Sequence, residues 1–459
     1  MELAFEQETE RTTLPWVGYR ARKWEPEPIR WLGVHAMYRL FAIADRREEH
    51  RGSGKTSLRP DSAADSPDFT SKRKGTALMD AKLAVIGLGS IGSMALWQAS
   101  KLTDSVVGFE AATPAHGRSA VGGDTRLLRM IYFGKPEYYP IMERSRSLWV
   151  ELEAETGQEI FMPTGGLTIG TANSDFINSL RETARVNGAE HEVLSREEIA
   201  ERYPQHNLRP DDCAIYDPRA GVLRTDRAVS AAVAAAQANG ATVLQNTPVD
   251  SITETDDGVV VTSGDRTWTF EKVIVASGGW SRRLMPDHLK AVTETHRIVL
   301  TWFVAQDGAQ FSPENFPAFS RQYDDRSLYG APAVDGVTVK ASVDAPLNGR
   351  RRTTPDPDSM PRELTREEIE KVTETVTEFF PGLIPTIVRS DAFPDLFTED
   401  KHPLIGWLEE NSSIYCATGF SGKGFKMATG YGHIAAHEAL GKQTIEGLDF
   451  VRPDRFKTR

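Results

Sequence analysis

A chain of 459 residues is long enough for two domains with full cores. Its net charge of −11 excludes the basic footprint of a nucleic-acid binder, and no run reaches the ~18 apolar residues of a membrane helix. Two cysteines, Cys213 and Cys416, cannot build a disulfide framework and fit a reducing, cytoplasmic setting. The start, MELAFEQETERTT, lacks the basic and apolar segments of a secretory signal, and Phe456-Lys457-Thr458-Arg459 is not a Ser-Lys-Leu peroxisomal address.

Residues 1–78 differ from the rest. They carry 14 Lys/Arg against 12 Asp/Glu, whereas the remainder carries 40 against 53. From Ile29 an amphipathic helix is possible, with Ile29, Leu32, Ala36, Leu40 and Ile43 on one side, although Arg30, His35 and Arg39 interrupt that face. Arg51 to Lys74 is rich in Ser, Asp, Lys and Arg and reads as a disordered linker. Gly54-Lys55-Thr56 is not a P-loop end, because Glu49 stands where its first glycine is needed and no strand precedes it. Met79 leads straight into the first apolar strand, as a native start of such a domain would. The segment before it reads as dispensable; a docking or membrane-surface helix is the alternative.

Lys82 to Glu110 reads as a β-α-β unit: a strand at Leu83–Ile86, a glycine turn Gly87-Leu88-Gly89-Ser90-Ile91-Gly92, a helix to about Leu102, and a strand at Val106–Phe109. Gly87 permits the tight turn, Gly89 lets the backbone approach a pyrophosphate, and Gly92 lets helix and strand pack closely. The unpaired N–H groups of the helix start then face the phosphates. Glu110 lies 18 positions after Gly92, where a carboxylate can accept from a ribose. Dinucleotide binding follows; NAD and FAD are not separated by this motif.

Pro114 to Arg129 reads as loop and then helix, with Arg126 and Arg129 sharing a face suited to a carboxylate or phosphate; a solvated arginine pair is the plainer reading of those two alone. Ile160–Gly170 reads as strand and turn, Ser174–Tyr203 as helix, Cys213–Leu223 as two short apolar runs around a turn, and Thr225–Asn239 as an alanine-rich helix. Short strands follow at 242–244, 249–253 and 259–262, then the buried run Val273–Ala276 ending in Ser277-Gly278-Gly279. Residues 295–345 are β-rich, Leu364–Phe380 reads as helix, and Asp391–Gly406 as loop. A last strand at 414–419, the turn FSGKGFK and a helix at 427–440 return to the first domain. The expected architecture is α/β: a Rossmann-like dinucleotide domain (79–160, 205–290, 390–445) interleaved with a β-rich substrate domain (161–204, 291–389).

From about Lys82 to Leu448 the chain resembles the monomeric sarcosine oxidase and N-methyl-L-tryptophan oxidase family, FAD enzymes of the D-amino-acid-oxidase-like fold. GLGSIG at 87–92, GGDTRLLR at 122–129, SLWVELEAETG at 147–157, AGVL at 220–223, VIVASGGW at 273–280, LYGAPAVDGVTVK at 328–340 and GFSGKGFK at 419–426 carry the likeness. It implies oxidation of the C–N bond of a secondary or N-methyl amino acid, with O₂ returned as hydrogen peroxide. By position it implies FAD contacts from Gly87, Gly89, Ser90, Ile91, Gly92, Glu110, Arg118, Val249, Ser277, Gly278, Gly419, Gly422, Gly424 and Lys426. It implies a carboxylate clamp by Arg129 and Lys426, a pocket ring at Tyr329, a basic residue beside the flavin at Arg126, and an oxygen-activating lysine at Lys340. No metal is implied, and the protein is expected to be a monomer or weak oligomer.

Three departures stand out. The family's flavin-linking cysteine is Phe393 here, so FAD is expected to be non-covalent. A histidine pair becomes Val121 and Gly122. A pocket histidine becomes Asp344, and a pocket tyrosine Asp395, which favours a substrate with an additional amine or hydroxyls. Two alternatives remain: a dehydrogenase of the same fold passing electrons to a quinone or protein, and a non-catalytic NAD-binding regulator.

Overall fold

The computed structural model describes residues 80–132, 136–323, 326–344, 353–354 and 356–457. The amphipathic segment from Ile29, the 51–74 linker and Met79 lie outside the described residues.

The expected β-α-β unit is present: β1 (Ala81–Ile86), α1 (Ser90–Ser100) and β2 (Val106–Phe109). β1 pairs in parallel with β2 on one side and with the strand Arg266–Val275 on the other. Thr242–Leu244 extends the sheet beyond β2, and Ile414–Thr418 joins Arg266–Val275 in parallel. With the hairpin Ser251–Thr255 and Gly258–Ser263, and Leu404–Trp407, this makes eight strands. The sheet is buried on both faces, which is why its central strands are runs of Val, Ile, Leu and Ala rather than alternating. α1 has no polar face to spare: every residue from Ile91 to Ser100 is buried, packed among Thr225–Ala238 and Ala428–Ala439. Small residues let those helices approach; a Cβ at Gly432 would stand 2.6 Å from the Ala95 nitrogen.

A second sheet has nine strands, among them Gly166–Thr171, Asp212–Asp217, Thr293–Ala305, Ala318–Tyr323, Arg326–Ala331, Thr338–Asp344 and Leu383–Thr398. The helix Arg366–Phe379 covers it with Val372, Val376 and Phe379 over Phe303, Phe319 and Val339. That helix starts on a reciprocal cap, Thr365 accepting from Glu368 N–H and Glu368 from Thr365 N–H. Glu368 also takes Arg297 at 3.0 Å, both side chains buried.

Several boundaries differ from the sequence reading. The stretch expected as helix before Arg129 is a strand, β3 (Thr125–Leu128), paired with Gly221–Arg224. Pairing partners supplied by the fold outweigh local propensity here. The stretch 174–203 is broken into the helices Asp175–Asn187 and Arg196–Arg202 by the strand Glu192–Leu194. Gly188, at φ 60°, ends the first helix, and Ser195 caps the second. The expected loop 391–406 is instead the end of a long edge strand, Leu383–Thr398, plus Leu404–Trp407. Asp212–Asp217, assigned from sequence to the dinucleotide domain, pairs in the second sheet. Among the described residues no helix is long and apolar enough to cross a membrane.

Candidate active site

β1 delivers the chain into the glycine turn at the carboxyl end of the sheet. Gly87 sits at φ 86° and its N–H donates to Phe109 O at 2.8 Å. A Cβ on Gly92 would be 1.7 Å from the Gly87 carbonyl oxygen, so only glycine lets α1 begin this close to β1. Gly89 precedes α1 without any side-chain cap, leaving the first N–H groups of the helix for an anion. Glu110 is buried at the tip of β2. Its Oε2 accepts from Leu88 N–H at 2.9 Å and its Oε1 from Ala112 N–H at 3.0 Å, with His116 Nε2 at 3.5 Å. The carboxylate thus stitches the glycine turn to the following loop while facing the same cavity.

That cavity holds about 1090 Å³ and runs from the glycine turn to the second sheet. Of the residues singled out from sequence, Gly87, Gly89, Ser90, Ile91, Glu110, Arg118, Val249, Ser277, Gly278, Gly422, Gly424, Arg126, Arg129, Tyr329 and Lys426 line it. Gly92, Gly419 and Lys340 do not; they stand behind its wall. The glycine turn and two other glycine-bearing segments (277–279 and 422–424) edge it, and Gly89 is open to it, its nearest added-Cβ neighbour being Val121 Cγ2 at 3.8 Å. An elongated cleft floored by a free helix start, a buried carboxylate and close-approach glycines fits a dinucleotide cofactor.

At the inner end two cations face the same ring. The Arg129 guanidinium lies 5.7 Å and the Lys426 ammonium 5.3 Å from the centre of Tyr132. Arg129 Nη1 donates to Ser320 Oγ at 2.7 Å, while its buried Nε has no partner among the described residues. Asp217 accepts from Met130 N–H at 2.7 Å and so fixes the backbone just beyond Arg129. Trp149 Nε1 donates to Lys426 O at 3.2 Å and stacks on Phe425, which fixes Lys426. Among the described residues no carboxylate bridges Arg129 or Lys426. Burial, then the neighbouring Arg129, pulls the Lys426 ammonium down to about 7. An arginine and a lysine placed together with no carboxylate bridging either form a receptor for a carboxylate.

Arg126 plays a different part. Its guanidinium donates to the carbonyls of Ala120, Gly122 and Thr125 at 2.7, 2.8 and 2.7 Å. Lys340 is one layer further in, donating to Gly123 O and Thr125 O beside the Trp302 ring. Burial, and then Arg126, holds its ammonium well below the usual lysine range. Both residues therefore brace the 120–125 segment, Arg126 at the cavity wall and Lys340 behind it.

Phe393 lines the cavity and packs on Gly122, where a Cβ would stand 2.1 Å from the ring. Cys213 and Cys416 are both buried away from the lining. Asp344 and Asp395 both line the cavity. The sequence reading missed Tyr132, Ser320, Gln322 and Arg326, which also line it. The only signal for Tyr132 was its position three residues after Arg129; the others sit on strands whose facing directions follow from pairing.

The family described as DAO, FAD dependent oxidoreductase, matches residues 82–438. An N-methyl-L-tryptophan oxidase of Yersinia pestis (strain Pestoides F) is 31% identical over 380 residues, covering 83% of this chain and 100% of the relative. Among solved structures, NikD, described as an unusual amino acid oxidase essential for nikkomycin biosynthesis, superposes with a TM-score of 0.70 at 19% identity, covering 82% of this chain and 98% of NikD. L-proline dehydrogenase from P. horikoshii gives 0.71 at 21% identity, covering 83% and 98%. These last two likenesses concern the fold alone.

Proposed function

This chain belongs to the DAO family of FAD-dependent oxidoreductases and acts on C–N donors; from that premise we propose that it oxidises a secondary or N-methyl amino acid and passes the electrons to O₂. The observation that carries the reading is the pair Arg129, half-buried, and Lys426, buried, with no carboxylate bridging either among the described residues, at the inner end of the dinucleotide cavity. An amino acid needs such an anchor; a simple amine does not. The relative's name supports an N-methyl amino acid as the substrate class.

When bound, FAD supplies the two-electron acceptor for the amine C–H. The glycine turn, the start of α1 and Glu110 would hold its adenosine diphosphate half, and 277–279 with 422–426 its other side. Arg129 and Lys426 fix the substrate carboxylate and so orient the carbon to be oxidised; a dry wall strengthens that pairing. Tyr132 and Tyr329 limit where the remainder can lie. Non-covalent FAD is supported by Phe393 at the wall, a ring that offers no nucleophile. Oxygen as acceptor is supported by the Arg126 guanidinium on the lining, since fixed positive charge favours electron transfer to O₂.

Anaerobic titration of the purified yellow protein with N-methyl, cyclic and glycated amino acids tests the reading. Bleaching by a secondary amino acid, then peroxide on admitting air, is expected. Bleaching without peroxide would move the assignment to a dehydrogenase, and no bleaching by any of them would overturn it.

A further inference from the structure

We propose that Asp395 is the receptor for the substrate's cationic nitrogen, so that the site takes a zwitterion with its carboxylate on Arg129 and Lys426 and its ammonium on this half-buried, cavity-facing carboxylate. The inference rests on the amine-oxidation reading and names a group of the same cavity that reading does not use.

Asp395 follows Phe393 by two positions on the edge strand Leu383–Thr398 and lines the cavity with it. Alternation along a strand places the two side chains on one face. Its Oδ2 accepts from Gly422 N–H at 2.7 Å, which holds the carboxylate against the 420–424 turn that leads to Lys426. The charged groups around it come from three elements. Arg126 acts from β3, Lys423 and Lys426 from the turn, and His296 is its cross-strand partner on Thr293–Ala305. None of the cations bridges it among the described residues, and burial outweighs them, raising the carboxyl to about 6. At neutral pH the cavity therefore contains a poorly solvated anion beside a receptor for anions. A ligand bearing one charge of each sign satisfies both, and a cation brought to such a carboxylate gains more than it would in water. The Gly422 contact alone does not call for a charge, because an asparagine oxygen accepts that N–H equally well.

The experiment compares two isosteric ligands that the enzyme cannot oxidise as secondary amines: betaine and tert-butylacetate, identical in shape and carboxylate but differing in N⁺ against C. Binding to the holoprotein is read from the perturbed flavin absorbance at pH 7 and pH 5. At pH 7 betaine is expected to bind at least ~10-fold tighter, the equivalent of one modest buried charge pair. The preference should vanish at pH 5, where Asp395 is protonated, and in Asp395→Asn at both pH values. Loss at pH 5 in the unaltered protein decides the matter if Asp395→Asn does not fold. Equal affinities at pH 7, binding of neither ligand, or a preference that survives in Asp395→Asn would each overturn the proposal. Failure of every amine to bleach the flavin would instead sink the oxidase reading, and the isostere preference would still report on Asp395.

Discussion

Gly92→Ala and Gly89→Ala separate what the glycine turn does for the fold from what it does for the cofactor. At Gly92 the new methyl would lie 1.7 Å from Gly87 O, and no real contact is shorter than about 3.0 Å, so turn or helix must move by at least 1.3 Å, the difference of the two. That shift works against two buried bonds, Gly87 N–H to Phe109 O at 2.8 Å and Leu88 N–H to Glu110 Oε2 at 2.9 Å. Each buried donor left unmet costs about 1–3 kcal/mol, so the flavin-free protein should lose roughly 2–6 kcal/mol. At Gly89 the nearest atom is 3.8 Å away and φ is −72°, so alanine fits the protein without strain. Its methyl would project where a pyrophosphate must approach. The deflavinated Gly89→Ala protein should melt within ~0.5 kcal/mol of the parent yet bind FAD at least ~10-fold more weakly. Thermal unfolding of the deflavinated proteins and FAD titration by quenching of flavin fluorescence measure the two effects. A Gly92→Ala protein as stable as the parent, or a Gly89→Ala protein with parental FAD affinity, would refute this account of the turn.

Acid precipitation should leave all the flavin in the supernatant; flavin retained on the pellet would contradict non-covalent attachment at a wall closed by Phe393. The affinity for tert-butylacetate should fall as pH rises through about 7, because the lowered Lys426 ammonium loses its charge there, while Lys426→Arg should flatten the profile; a flat profile in the parent would count against Lys426 in the clamp. Arg297→Met removes donors to Glu368 at 3.0 Å, Pro361 O at 2.7 Å and Glu363 O at 2.8 Å, and should lower the unfolding free energy by about 3–5 kcal/mol in a denaturant titration. An unchanged midpoint would mean the pair is not buried as described. Lys340→Met should slow reoxidation by O₂ more than anaerobic reduction in stopped flow; equal losses would mark it as a brace for Gly123 and Thr125 alone.

The β-α-β unit was legible because its rules are local. Strand, glycine spacing and acidic residue follow within thirty positions, and each has a steric or hydrogen-bonding duty there. β3 was not. Arg126 and Arg129 have helical spacing, but Thr125 pairs with Arg224, a neighbour supplied only by the fold. Leu383–Thr398 was hidden by Pro385 and Pro394, which look like loop punctuation. It is an edge strand, paired among the described residues only with Thr293–Ala305, and an edge tolerates prolines on its outer side. For the site, resemblance in register pointed to Arg129 and Lys426, which the fold places on one cavity. It could not tell that Arg126 spends its donors on backbone carbonyls, or that Lys340 stands behind the wall, because both facts depend on how the 120–125 segment folds back on itself.

The contact between Phe393 and Gly122 couples two positions of the cavity wall. Any side chain at 122 would collide with the ring 2.1 Å away, so position 122 stays glycine while Phe393 is present. Restoring cysteine at 393 first would empty a buried site whose neighbours include Gly122, Leu300 and Trp302, at a cost of about 3–5 kcal/mol for losing a core ring. Neither single change is neutral, and losing the ring alone does not free position 122, whose Cβ would still stand 2.8 Å from the Gly117 carbonyl oxygen. Sterics on both sides thus hold this stretch of the cavity wall to glycine at 122 and a large ring at 393, whatever cofactor chemistry the wall serves.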